Sequence, residues 1–311
     1  MNPTEPMIVI VNPTSGGASE RMAAEATDRL AGAKPEIRMT ERPGHATELA
    51  FEAARRGVRA IVAVGGDGTV HETANGLLRA LESDPLLPAV LGIVPVGTGN
   101  DFVKMLPGTA RRDEAYQTIL AGEVRRVDAG LASWDGGEEY FVNSAGTGID
   151  VEVVRAMGSH RGTSGPLDYV VALMRALRRY RPIPVSLSGD GHGLQARIMI
   201  AAVGNGRCVG GTFRICPDAI VDDGLFDVCT VHALSIATSI LTAARIVRGT
   251  HTGTRGVRTF RAAAVQLTVP EGTDLFFQLD GELRELMGAK TLKLEIRRGA
   301  LPVFAGGKGE A

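Results

Sequence analysis

The sequence predicts an α/β domain built on a parallel sheet, followed by a second domain built as an antiparallel β-sandwich. Three observations support this. The first third alternates short β-branched runs with helical patterns. Three of those runs open into glycine-rich loops. After about Asp128 the chain changes to short strands whose turns carry Gly, Asp and Pro.

Met7 to Val11 is an apolar run that reads as a buried strand, followed by the turn-rich loop Asn12-Pro13-Thr14-Ser15-Gly16-Gly17. A helix is expected from about Ser19 to Leu30, a strand at Glu36 to Met39 and a second helix at His45 to Arg56. Ala60 to Val64 is a third strand, ending in Gly65-Gly66-Asp67-Gly68-Thr69, with a helix behind it from about Val70 to Glu82. Val90 to Val96 is a fourth strand, followed by a second glycine-rich loop and a helical turn at about Asp101 to Met105. The later strands are expected at Glu139 to Asn143, Pro184 to Leu187, Ala196 to Val203, Gly224 to His232, Ala264 to Val269 and Leu275 to Leu279. Helices interrupt them at about Pro166 to Tyr180 and Ile236 to Arg248. Leu292 to Val303 is an alternating strand that can return to either domain. The domains are therefore set at 1–130 and 131–290, with a terminal strand and tail at 291–311.

Composition narrows the class. A length of 311 residues suits two domains, and 44% hydrophobic with 22% charged residues describes an ordinary soluble protein. With aromatics at 5%, the core rests on Val, Ile, Leu and Ala. A net charge of -1 gives no field that favours nucleic acid. Cys208, Cys216 and Cys229 are odd in number and lack metal-like spacing, which fits reduced thiols in a cytosolic protein. Neither a signal peptide nor an apolar stretch long enough to span a bilayer is expected, so any lipid is met from the surface.

The glycine loops carry the chemistry. Glycines between a strand and a helix let backbone N–H groups approach phosphate oxygens, and the helix N-terminus favours the anion. Gly65 to Thr69 is neither a Walker loop nor a dinucleotide fingerprint. An acid inside such a loop needs a reason, because a bare carboxylate repels phosphate. Asp67 either reaches Mg²⁺, orients a reacting group, or simply caps the helix. Pro95-Val96-Gly97-Thr98-Gly99-Asn100-Asp101 repeats the arrangement, with Thr98 able to donate to phosphate and Asp101 able to bind Mg²⁺. Two such loops, with Asn12 to Gly17, favour one shared phosphate site at the carboxyl ends of the strands.

Val11-Asn12-Pro13, Gly65 to Thr69 with His71-Glu72 and Asn75-Gly76, and Gly97 to Asp101 together resemble the diacylglycerol-kinase-type catalytic domain, shared by bacterial lipid kinases, sphingosine kinases and ceramide kinases. The resemblance continues through Gly204-Asn205-Gly206, Gly210-Gly211, Pro217-Asp218-Ala219 to Asp223-Gly224-Leu225, and Leu279-Asp280-Gly281-Glu282, nearly the whole chain in order. It implies an NAD-kinase-like nucleotide domain, a β-sandwich lipid domain and ATP across the glycine loops. Contacts to ATP are implied for Asn12, Thr40, Gly65, Gly66, Asp67, Gly68, Thr69, Val70, His71, Thr98, Asn100 and Asp101. A structural Mg²⁺ is implied at Asp223, with backbone carbonyls of Ile220 and Leu225; oxygen-only ligation suits this ion. Glu282 matches the family's proton acceptor, with Asp280 placed to assist or to bind metal, and Asp67 joins the catalytic set as a carboxylate that orders metal or phosphate. Which of Asp280 and Glu282 takes the proton is open. Asp280-Gly281 also reads as a hairpin turn. Asp128 matches a further acid of the family.

The expected function is thus an ATP- and Mg²⁺-dependent lipid kinase, acting on diacylglycerol or a related lipid alcohol. It is expected to be cytoplasmic and peripheral to the inner face of the membrane. Membrane contact is expected through the helix at Pro166 to Tyr180 with Arg175, Arg178 and Arg179, or through a second basic group, Arg245, Arg248, Arg255, Arg258 and Arg261. The oligomeric state stays open, a homodimer included. The rivals are an NAD kinase and a non-catalytic nucleotide or lipid sensor on the same fold.

Overall fold

The computed structural model describes residues 6–14, 19–149, 151–152, 180–273, 275–286 and 291–307. The chain divides into two units: Met1–Ala129 with Val221–Asp223 and Arg297–Ala311, and Gly130–Ile220 with Gly224–Ile296.

The first unit holds β1 (Met7–Val11), α1 (Ser19–Arg29), β2 (Glu36–Met39), α2 (His45–Arg55), β3 (Ala60–Gly65), α3 (Asp67–Ser83), β4 (Val90–Pro95), α4 (Arg112–Ala121) and the start of β5 (Val124–Trp134). Its strands lie in the order β4-β3-β1-β2, all parallel. Every residue of β1, β3 and β4 is buried, as expected of parallel strands covered on both faces. Their side chains and those of α1 and α4 share one core, in which Val9, Val62, Leu30, Tyr116 and Phe304 are buried.

Helices α2 and α3 pack closely because Gly76 has no side chain. A Cβ there would lie 2.2 Å from the Thr47 carbonyl oxygen. Glu72 on α3 accepts from the backbone N–H groups of Gly44 and Ala46 at 2.8 and 3.2 Å, satisfying donors at the start of α2. The residues that follow the first glycine loop, Glu72 and Gly76, are thus explained by helix packing.

The second unit holds the end of β5, β6 (Gly137–Phe141), β7 (Ser144–Gly148), β8 (Ile183–Gly189), β9 (His192–Gly204), β10 (Phe226–His232), α5 (Ile236–Arg248), β11 (Val257–Ala262), β12 (Ala264–Thr268), β13 (Leu275–Leu279), β14 (Glu282–Leu286) and the start of β15 (Thr291–Phe304). Its pairings are antiparallel, in the order β14-β13-β7-β9-β8-β12-β15, with β10 on β9 and β11 on β10. The main core takes alternate residues from these strands, among them Phe141, Ile198, Phe226, Val265, Phe277 and Leu294. A second cluster on the other face of β9 and β10 includes Met199, Cys216, Cys229, Val231 and Ile246. Both domains of the expected α/β-plus-β architecture are present. Elements α4, β5, β7, β11 and β14 lie beyond the sequence expectation, and the helix expected at 166–180 falls, but for Tyr180, outside the described residues.

Candidate active site

In the first unit, four neighbouring parallel strands end together in sequence-predicted site residues. Asn12 follows β1, Thr40 follows β2, Gly65 ends β3 and Thr98 lies in the loop after β4. The Asn12 and Thr40 backbones extend the ladder, with Asn12 N–H donating to Val64 O at 3.2 Å and Thr40 N–H to Val11 O at 2.9 Å. This is the edge at which open α/β sheets bind ligands.

The two glycine loops touch because both lack side chains. A Cβ on Gly97 would fall 2.7 Å from the Gly66 Cα, and one on Gly99 would fall 2.5 Å from an Asp67 carboxylate oxygen. Asp67, first residue of α3, accepts from the Asn100 N–H at 2.8 Å with one oxygen and from the Asp101 N–H at 2.7 Å with the other. Its carboxylate therefore holds the second loop in shape. Asn100 has φ of +49°, and its side-chain NH₂ donates to Gly97 O at 2.7 Å, closing the turn. Asp101 is buried and paired with Lys104 at 3.0 Å.

Not every predicted contact residue presents its side chain. Thr69, Val70 and His71 are buried in the first turns of α3. Asn12 donates to the Thr69 hydroxyl at 3.2 Å, and Asn75 donates to the His71 carbonyl at 3.0 Å. A ligand reaches these three through their backbone. Thr98 is exposed, and Gly66, Asp67 and Gly68 are partly so. Asp128 is fully buried in β5, and its carboxylate accepts from the Gly299 N–H at 2.6 Å while its own N–H donates to Val221 O at 2.7 Å.

In the second unit, Asp280 and Gly281 form the two-residue turn between β13 and β14, with φ of +51° and +90°. Two positive φ values in succession are the hairpin geometry that Asp-Gly favours. The Asp280 carboxylate accepts three backbone N–H groups, from Val142 at 2.9 Å, Asn143 at 2.8 Å and Ser144 at 2.9 Å. Glu282, two residues on, is exposed. Arg284 anchors the same hairpin through a two-bond pair with Glu139.

Sequence reasoning missed Asn143, the hub beside Asp280. Its carbonyl oxygen accepts from the N–H groups of Asn205 and Gly206 at 2.9 and 2.8 Å, and its side chain donates to Cys208 O at 2.9 Å. A Cβ on Gly206 would meet the Asn143 Oδ1 at 2.1 Å, so the Gly-Asn-Gly passage exists to let these loops close. Only this contact network, with no local pattern, marks Asn143 out.

Asp223 falls in the Val221–Asp223 segment of the first unit, whereas Ile220 and Leu225 fall in the second. Among the described residues no cluster of three or more His, Cys, Asp or Glu side chains is poised to hold a metal. The donor set expected around Asp223 is one carboxylate and main-chain carbonyls, all oxygen, a chemistry that suits a hard cation. Arg175, Arg178 and Arg179 lie outside the described residues. Burial pushes the Cys229 thiol up to about 12 and Cys216 well above its ordinary value, and no cysteine is in a disulfide.

Known proteins match this architecture along its length. The diacylglycerol kinase catalytic domain family matches residues 6–132, and the YegS C-terminal NAD kinase beta sandwich-like domain matches 143–305. The chain is 34% identical over 292 residues to the diacylglycerol kinase of Bacillus subtilis (strain 168), covering 92% of each. It is 31% identical over 275 residues to a candidate YegS-like lipid kinase of Stenotrophomonas maltophilia (strain K279a), covering 88% of each. A crystal structure of a candidate diacylglycerol kinase from Bacillus anthracis superposes with a TM-score of 0.77 at 26% identity, over 97% of both chains.

Proposed function

The chain belongs to the diacylglycerol-kinase family of lipid kinases, and from that premise we propose that it transfers the γ-phosphoryl group of Mg·ATP to the free hydroxyl of diacylglycerol, giving phosphatidic acid. The observation that carries the nucleotide half is the convergence of Asn12, Thr40, Gly65 and Thr98 at the ends of four adjacent strands. The glycine contact between the two loops leaves backbone free of side-chain bulk where phosphates would lie, beside the N-terminus of the 17-residue α3.

Each residue then has a distinct task. Asp67 fixes the loop by accepting from the N–H groups of Asn100 and Asp101, so that the Thr98 hydroxyl beside them is held in place for the phosphates. Glu282 accepts the proton of the lipid hydroxyl as its oxygen bonds to phosphorus and the bond to the ADP oxygen breaks. Asp280 is the weaker candidate for that step, because three backbone N–H groups already occupy its oxygens. It acts as a positioning residue for the turn that carries Glu282. When bound, Mg²⁺ would supply charge neutralisation at the transferring phosphoryl group, where Asp101 offers a carboxylate, while Asp223 with the carbonyls of Ile220 and Leu225 would hold a separate structural ion.

The test is turnover with γ-labelled ATP and Mg²⁺, offering diacylglycerol in mixed micelles in one arm and NAD in the other. Labelled phosphatidic acid is expected. Labelled NADP without labelled lipid would refute the proposal. Glu282→Gln should lower kcat by about 100-fold or more with little change in nucleotide affinity.

A further inference from the structure

Helix α5 is turned inside out relative to an ordinary surface helix. Its inward side is Ser239, Thr242 and Ile246, all buried. Its outward side is Ala237, Ile240, Leu241, Ala244 and Val247, spread over roughly a third of the helix circumference at 100° per residue. Ile240, Leu241 and Val247 are 42%, 52% and 38% exposed, three of the eight large exposed apolar residues among those described. An amphipathic helix normally buries this stripe in its own core.

The same segment is basic. Between Asp227 and Glu271 the chain carries Arg245, Arg248, Arg255, Arg258 and Arg261 and no carboxylate, in a protein whose net charge is -1. Arg248 lies within the exposed apolar arc and Arg245 at its border. The stem of exposed Arg214 lies beside Gly249, which caps the helix, and its N–H donates to Ile246 O at 3.1 Å, so three arginines belong to this C-terminal end. Only Arg261 of the five has a carboxylate partner among the described residues, Asp227 at 3.5 Å. The helix is well formed: Ser235 caps its N-terminus by accepting from the Thr238 N–H, and Gly249 closes it with φ of +69°.

We propose that α5 is the surface by which this enzyme docks on an anionic phospholipid bilayer, its apolar arc entering the acyl boundary while Arg214, Arg245 and Arg248 engage headgroup phosphates. A solvent-facing apolar arc on a helix that carries arginines and no acid of its own is the composition of an interfacial helix. A second copy of the chain would bring like-charged arginines together on the same face, which disfavours a symmetric dimer there. The lipid-kinase reading supplies the purpose of such docking, but the docking is measured without turnover.

The test uses the full chain and vesicles of phosphatidylcholine with or without phosphatidylglycerol. Wild-type protein should sediment with the anionic vesicles and release at high salt. Leu241→Asp should weaken binding by about ten-fold or more. Arg245→Gln with Arg248→Gln should weaken it about 25-fold, roughly five-fold for each charge. In Leu241→Trp the introduced indole should shift to the blue and be quenched by brominated lipid. Both polar variants alter exposed or half-buried positions outside the core and should melt like wild type. Wild-type affinity in them overturns the proposal, as does loss of a solution dimer in Leu241→Asp without any effect on vesicle binding. Phosphorylation of a soluble short-chain diacylglycerol with no vesicle binding also overturns the docking, leaving the kinase assignment intact. Vesicle binding through α5 without lipid phosphorylation upholds the docking and removes the kinase assignment.

Discussion

Asp67→Asn tests what the first loop acid does. In the native protein each carboxylate oxygen receives one backbone N–H, from Asn100 and Asp101. Asparagine keeps one acceptor and turns an NH₂ group toward the other donor. A hydrogen bond to a charged acceptor contributes about 1.5–3 kcal/mol, and a donor left without a partner costs about 1–3 kcal/mol. One bond is lost and the other loses its charge, so the local cost is about 2–4 kcal/mol. Since 1.4 kcal/mol is a factor of ten, amide exchange at Asn100 and Asp101 should accelerate about 30-fold or more. Turnover should fall with it, because the loop that presents Thr98 is released. Hydrogen exchange read by mass spectrometry or NMR measures the first, and the lipid phosphorylation assay the second. Native exchange rates at both amides in the variant would refute the clamp. A loss of turnover with those rates unchanged would move Asp67 from loop support to direct action on phosphate or metal.

Gly99→Ala should reproduce that defect from the other side, since its Cβ would sit 2.5 Å from the Asp67 carboxylate; full activity and native melting would contradict the close approach. Asp280→Ala deprives three backbone N–H groups of their acceptor and should lower stability by about 3 kcal/mol or more in denaturant unfolding. A variant of native stability that has lost only kcat would instead make Asp280 the proton acceptor. Asp227 is pushed up to about 6, first by burial and then by Asp218, with Arg207 opposing. Its ordinary value is 3.8, so as pH rises from about 4 to about 6 the unfolded chain ionises first and stability falls. The loss is about 2–3 kcal/mol and persists above that window. Asp227→Asn should remove this step and stabilise the protein near neutral pH, and an unchanged pH profile of unfolding would refute the burial argument.

The first unit was legible because its strands are buried on both faces and so read as unbroken apolar runs. Ala60–Gly65 and Val90–Pro95 are examples, each followed by glycines whose purpose the sequence could state. The role of Asp67 was only half legible: the pattern offered a cap or a metal-reaching acid, and the structure adds a clamp between loops 33 and 34 residues apart in sequence. In the second unit, β7 has the sequence Ser-Ala-Gly-Thr-Gly and carries almost no strand signal, yet all five residues are buried. Small residues are required there because neighbours come close; a Cβ on Gly148 would meet the Met199 carbonyl oxygen at 2.2 Å. Such a strand is written in its neighbours and not in itself. Helix α5 was visible as a helix, but which side faced out depended on tertiary packing, and that side carries the new inference.

The last described residues complete the first unit. Val303 pairs with Leu91 at the edge of β4, Phe304 is buried in the core of β1 and β3, and the N–H groups of Ala305 and Gly306 close onto Glu123 and Pro107. A ribosome therefore releases all strands of the second unit before it supplies the strand that finishes the first. The amino-terminal half must wait, with β4 open along one side, until Arg297 and the residues after it emerge. For that interval an unpaired strand edge is available to any other chain. Production of this protein at high expression, or with its carboxyl end trimmed, should favour inclusion bodies over soluble material for that reason.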